Sequence, residues 1–97
     1  MTIRELEGQS GILRLLLLLL EKGEMGYYSI IKESDLYDRI LRNSLDKLKK
    51  LGLVTTRIDT STYPSRIMIS LTDKGRKVAE KLKEIEEILE TNEGGML

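Results

Sequence analysis

Hydrophobic positions along the chain follow three rhythms. From Ile12 to Leu20 they are almost continuous, ILRLLLLLL, broken only by Arg14. From Leu41 to Leu48 they recur at spacings of four and three (Leu41, Leu45, Leu48), and from Val54 to Leu71 they alternate with polar residues. Spacings of three and four put side chains on one stripe of an α-helix, whereas alternation puts them on one face of a strand. The first two rhythms predict helices over about residues 10–22 and 37–51, and the third predicts a β-hairpin over about residues 54–71.

Local signals set the boundaries. Ser10 is placed to cap the first helix and Gly23 to close it. Gly26 and the pair Ser34-Asp35 bracket a short helix of about residues 27–34, with Tyr27, Ile30, Ile31 and Ser34 on its inner side and Leu36 as a buried plug after it. Gly52 stops the next helix, and Leu53 supplies the hydrophobic contact of a Schellman-type end. Between the two alternating runs, Thr60-Ser61-Thr62-Tyr63-Pro64-Ser65 forms a polar tip that holds the only proline, where a missing ladder donor does no harm. Thr72 caps a last helix over about residues 72–90, with Asp73 near its positive end. Val78, Leu82, Ile85 and Leu89 are spaced 4, 3 and 4 along it, a seam of period near 3.5 that Ala79 and Ile88 broaden. The chain then divides into an arm of residues 1–9, a core of 10–71, a helix of 72–90 and an unpatterned tail of 91–97.

Six consecutive leucines, Leu15 to Leu20, run right round a helix, so every side of it must be covered. A membrane span would need roughly 20 apolar residues, and this stretch has nine, including an arginine. Glu5, Glu7, Glu21 and Glu24 flank the run, which does not fit a secretion signal. The remaining reading is a helix buried by protein on both faces. One face covers its own subunit, and the last helix leads away, so a second subunit is expected over the other. Leu13, Leu16, Leu17 and Leu20 are then not expected to face one core.

Composition narrows the chemistry. The 97 residues suit a single small domain, with no Cys and no His. The commonest zinc ligands and the commonest general base are thereby missing. High Lys, Arg and Glu with one Gln and two Asn resembles thermophile proteins. Carboxylates such as Glu80, Glu84, Glu86 and Glu87 fit a solvated helix face better than acid catalysis, and no phosphate-cradling glycine loop or nucleophile–base pair is present. No catalytic residue, metal or cofactor is expected, and the chain reads as a cytoplasmic protein that is not an enzyme.

The order helix, short helix, turn, longer helix, hairpin, helix makes a helix-turn-helix followed by a wing. The expected fold is α+β and mostly α: a winged helix-turn-helix with a two-stranded wing and a C-terminal dimerisation helix. GYYSIIKES, LDKLKKLGLV and LTDKGRKV, in this order over roughly residues 10–90, resemble the small winged-helix transcriptional regulators of bacteria and archaea. ILRLLLLLLEKGEMGYYSIIK is similar to PadR-like regulators, and LTDKG after the wing to MarR-like ones. The resemblance implies a homodimer with one recognition helix per subunit in adjacent major grooves. Carried over by position, Tyr37, Asp38, Arg39, Arg42 and Asn43 face the groove, while Arg57, Tyr63 and Arg66 serve the wing. The implied dimer interface takes in Leu16, Leu20, Val78, Leu82, Ile85 and Leu89. MarR-like wings commonly carry an Asp two residues before a fixed Arg; here Pro64 and Ser65 precede Arg66, which leaves the bracing of that arginine open.

Formal net charge is zero, but it is unevenly spread: residues 37–66 carry seven Lys/Arg against three Asp/Glu, and both flanking segments are net acidic. Positive charge thus collects where phosphates would be met. Arg39, Arg42 and Asn43 are types that pair with guanine and adenine edges, although the exposed side of any amphipathic helix is also polar. Two readings remain open: a dimeric regulator that binds double-stranded DNA, and a winged helix used as a protein-interaction module in a larger assembly. Tyr27 and Tyr28 could line a small-ligand pocket between the first two helices, but Tyr27 suits core packing better, and no other feature indicates a small-molecule effector.

Overall fold

The computed structural model describes residues 11–91. The expected cap at Ser10, the 1–9 arm and the tail beyond Thr91 lie outside those residues. The elements are α1 (Ile12–Lys22), β1 (Met25–Gly26), α2 (Tyr27–Ser34), α3 (Asp38–Lys50), β2 (Val54–Asp59), β3 (Arg66–Leu71) and α4 (Asp73–Glu90). The hairpin pairs in register from Val54 opposite Leu71 to Asp59 opposite Arg66. The wing sheet is three-stranded, in the order β1-β3-β2, where two strands were expected. The extra strand is Met25–Gly26, opposite Ile69 and Met68. Two residues carry no alternation, so this strand exists through its pairing with β3 and not through a local signal.

The core gathers Leu15, Leu16 and Leu19 of α1, Ile30 of α2, Leu41, Leu45 and Leu48 of α3, and Val54 and Ile69 of the sheet. Truncating one fully buried leucine such as Leu16 or Leu41 costs about 2–5 kcal/mol. The leucine run is split as a helix with no polar side requires: Leu16 is 0% exposed and Leu13 41%. One expectation about it fails. α4 does not lead straight away but packs along α1, so the second face of α1 is covered largely within the subunit. Leu16 lies wholly in the core and is lost to any partner. Leu20, Val78 and Leu82 are partly buried against the same core. The apolar seam of α4 emerges only near its end, at Ile85 (51% exposed), Ile88 (71%) and Leu89 (78%).

The C-terminal end of α3 is closed by two different segments. Leu53 N–H donates to Leu48 O at 2.9 Å and Gly52 N–H to Lys49 O at 3.0 Å, the paired bonds of a Schellman end. Gly52 sits at φ 75°, a conformation that side chains with a Cβ adopt reluctantly. The LTDKG segment then takes up the carbonyls just beyond. Lys74 Nζ donates to Leu51 O (3.2 Å), Thr72 Oγ1 to Gly52 O (2.6 Å) and Thr72 N–H to Leu53 O (3.0 Å). The same Thr72 Oγ1 accepts from Gly75 N–H at 3.0 Å, capping α4 as expected. Gly75 is there for a reason of space: a Cβ on it would lie 1.8 Å from Leu53 O.

Candidate nucleic-acid interface

The chain leaves α2 through Asp35, at a left-handed φ of 58°, and enters the first turn of α3 at Asp38 from Tyr37, whose backbone is extended (φ −71°, ψ 151°). Leu41, Ser44, Leu45 and Leu48 face inward, which turns Arg39, Arg42, Asn43 and Asp46 outward. Across from this exposed face stands the hairpin. Between the start of α2, one flank of α3 and the hairpin lies an open cleft of about 1120 Å³, bordered by Tyr27, Tyr28, Arg42, Lys49, Tyr63 and Arg66 among others. Its floor on the wing side is apolar, formed by Ile58 and Ile67, which are opposite one another in the hairpin. The sequence alternation placed both with the core side; they are 67% and 49% exposed because the hairpin runs past the helices that cover its root.

The expected DNA-facing residues divide into engaged and open ones. Tyr37, Arg39, Asn43 and Tyr63 are exposed. Arg42 Nη2 donates to Asp38 Oδ2 at 2.8 Å, and Tyr27 Oη donates to Asp38 Oδ1 at 2.6 Å. Each carboxylate oxygen of Asp38 thus holds one neighbour, so this expected groove residue joins α2 to Arg42 in the free chain. The nearness of the Tyr27 hydroxyl and then the charge of Asp38 raise the Arg42 pKa above its ordinary value. Partial burial, followed by the bond to Asp38, raises that of Tyr27.

Arg57 departs further from expectation. Its Nε and Nη2 donate to the two carboxylate oxygens of Glu24 at 2.9 and 2.7 Å, a bidentate pair that ties the wing to the turn before β1. The guanidinium holds the Glu24 carboxyl below its ordinary value of 4.5. So engaged, Arg57 ties the wing to that turn, and a phosphate at this position would have to compete with Glu24 for its guanidinium. The bracing of Arg66, open on sequence grounds, comes from the opposite strand: Asp59 approaches its Nη2 at 3.9 Å. Asp59 is itself held by the Ser61 hydroxyl (2.6 Å) and N–H (3.0 Å), which are the main reason its pKa is lowered.

Lys49 was not among the expected site residues, yet it shares the cleft with Arg42. Seven positions, close to two helical turns, separate the two, so helical periodicity alone was enough to find it. Glu24 had no such signal, because its partner is 33 residues away. Tyr27 and Tyr28 meet edge to face, with ring centroids 5.4 Å apart. Tyr27 is half-buried and Tyr28 exposed on the rim, so only the first is a packing residue. Among the described residues no helix is long and apolar enough to cross a membrane, and no three acidic side chains converge as a metal site would need.

A family model described as HxlR-like helix-turn-helix matches residues 11–94. No curated protein sequence matches the chain. Among solved structures it is similar to a transcriptional regulator homologue from Pyrococcus horikoshii OT3, at 24% identity and a TM-score of 0.68 over 91% of this chain and 99% of that one. It is also similar to a protein assigned to the MarR family of transcriptional regulators from Porphyromonas gingivalis W83 (22%, TM-score 0.73, 90% and 84%). A third likeness is to smu.1704 from Streptococcus mutans UA159 (22%, TM-score 0.74, 91% and 90%). At these identities the likeness is one of fold.

Proposed function

The chain belongs to the HxlR-like helix-turn-helix family, and from that premise we propose that it is a homodimeric DNA-binding regulator that represses transcription by occupying its operator. In this reading α3 enters the major groove, and the phosphate backbone lies along the cleft between α3 and the wing. The observation that carries it is the placing of Arg42, Lys49 and Arg66 around one open cleft, which Asp38 and Asp46 also border, in a chain whose formal net charge is zero. Phosphate contacts of this kind position a protein on the duplex, while base-edge contacts give it sequence preference. Arg39 and Asn43 are the exposed groups suited to the second task, with Arg42 next to them. Tyr37 and Tyr63, exposed at the start of α3 and in the wing tip, complete the contact surface.

The dimer rests on the end of α4. Ile85, Ile88 and Leu89 form an exposed apolar stripe that none of the described residues covers, and Leu13 is exposed on α1. Two-fold pairing of such stripes would hold the two recognition helices a fixed distance apart. Replacing Ile85 and Leu89 by Asp is expected to give monomers in sedimentation and much weaker DNA binding.

The pairing of Arg57 with Glu24 and of Arg66 with Asp59 favours a second reading, a protein-interaction module, because it leaves the wing electrically muted. Selection of binding sites from random duplex DNA separates the two. A regulator returns an enriched site whose halves are about 10–10.5 bp apart, or a multiple of that. A folded chain that enriches nothing at low salt is not a DNA-binding regulator.

A further inference from the structure

We propose that Tyr27 is a specificity-positioning residue: through Asp38 it fixes Arg42 in the orientation that meets the groove. The inference rests on the DNA-binding reading and adds to it a residue from α2 that does not itself touch a base.

The argument begins from how weak an Asp–Arg pair on an exposed helix face is. Asp38 and Arg42 are one turn apart, and their side chains are 52% and 68% exposed. Pairs of this kind exchange readily among rotamers and with water, so two such residues alone would leave the guanidinium mobile. Here a third group intervenes. Tyr27 is the first residue of α2, its ring is half-buried, and its edge contact with Tyr28 helps to hold it. Its hydroxyl reaches Asp38 Oδ1 at 2.6 Å and Asp38 O at 3.3 Å, so both the carboxylate and the first turn of α3 are held from a different helix.

The carboxylate, with one oxygen fixed by tyrosine, offers the other to Arg42 Nη2 in a single direction. A guanidinium has five N–H donors in a rigid fork. The bond to Asp38 draws on one N–H of Nη2, which leaves the other donors of an exposed guanidinium available at the edge of α3. An arginine held this way loses less side-chain freedom when it docks, and its geometry admits fewer alternative bases. Neutralisation by Asp38 also reduces its general attraction to phosphate. Arg42 is thereby biased toward selective contact and away from non-selective attraction. Lys49, on the same flank of α3, keeps the second task.

The test compares the full-length wild type with Tyr27→Phe, Asp38→Asn, Arg42→Ala and the Tyr27→Phe/Arg42→Ala double variant, on a duplex obtained by site selection and on an unrelated duplex. Tyr27→Phe keeps the ring and removes only the hydroxyl. It is expected to weaken binding to the selected duplex roughly threefold to tenfold, the scale of one immobilised side chain. Affinity for the unrelated duplex and the salt dependence are expected to stay unchanged in Tyr27→Phe. Asp38→Asn should likewise lose selectivity, but with tighter binding to the unrelated duplex, because the charge that partly neutralises Arg42 is gone. In the Arg42→Ala background the tyrosine change should have no further effect. Unaltered selectivity in Tyr27→Phe, or an equal loss with and without Arg42, overturns the positioning role. If the wild type itself prefers no duplex, the DNA-binding reading and this inference fall together. If the wild type is selective and Arg42→Ala weakens it while Tyr27→Phe does not, only the positioning role falls.

Discussion

The two ends of α3 are held in opposite ways. At its C-terminus, the carbonyls of Leu51, Gly52 and Leu53 are bonded by Lys74 and Thr72, and α4 approaches so closely that only glycine fits at position 75. At its N-terminus no side chain caps the helix, and the restraint is a chain of exposed polar groups, Tyr27 to Asp38 to Arg42. The first end combines side-chain donors on backbone carbonyls with a close backbone approach at Gly75 that tolerates little change. The second is made of exchangeable side chains at the surface. A helix held this way keeps its place in the fold while its exposed face remains free to vary.

Gly75→Ala should be the most damaging change at the C-terminal end. The added carbon would overlap Leu53 O, so the start of α4 must move away from the turn of residues 51–53 and give up its bonds there. Urea unfolding is expected to register a loss of about 3 kcal/mol or more. Stability equal to wild type would mean that the close approach is not a constraint. Thr72→Ala comes next, since it removes the α4 cap and leaves Gly52 O without its donor. A loss of about 1–2 kcal/mol is expected in the same assay. No measurable loss would show that the two ends of α3 are less different than the bonding suggests.

A smaller effect, confined to acid, is expected from the exposed polar restraints. The folded-state pKa of Glu24 is lowered, so its pairing with Arg57 stabilises the chain above pH 4.5, the ordinary value. That contribution fades as pH falls through the lower, folded-state value. Thermal melts of Glu24→Gln from pH 7 down to pH 3 should therefore show a flatter acid limb than wild type, with the two curves converging at the lowest pH. Parallel curves would remove Glu24 from the account of how the wing is held.

Much of this arrangement is legible in the sequence, and what is missed follows a physical rule. Tyr27–Ser34 is bounded as its flanking Gly26 and Ser34-Asp35 imply, and the spacing of Leu41, Leu45 and Leu48 identifies the buried stripe of α3. The alternation from Val54 onward gives the hairpin, and Thr72 the start of α4. These are local signals, decided within one or two turns of chain. The winged-helix resemblance, drawn from three such segments toward MarR-like and PadR-like regulators, is narrowed by the family match to the HxlR-like group. What local signals cannot give is partnership at a distance. β1 needs Ile69 and Met68, Arg57 needs Glu24, and the packing of α4 along α1 is what removes Leu16 from the surface. Gly75 belongs to the same class: LTDKG announces a cap, while the reason for its glycine is a carbonyl 22 positions earlier.

The central claim is that α3 and the wing cleft meet duplex DNA, and the salt dependence of binding by the full chain tests it most directly. Log affinity for a selected duplex should fall linearly with log salt, with a slope of about −0.9 for each phosphate neutralised. Arg42→Ala should weaken binding to that duplex by roughly tenfold or more while leaving the unfolding curve unchanged. A folded chain that shows no duplex binding at low salt would contradict the account at its root. So would binding that ignores both salt and Arg42.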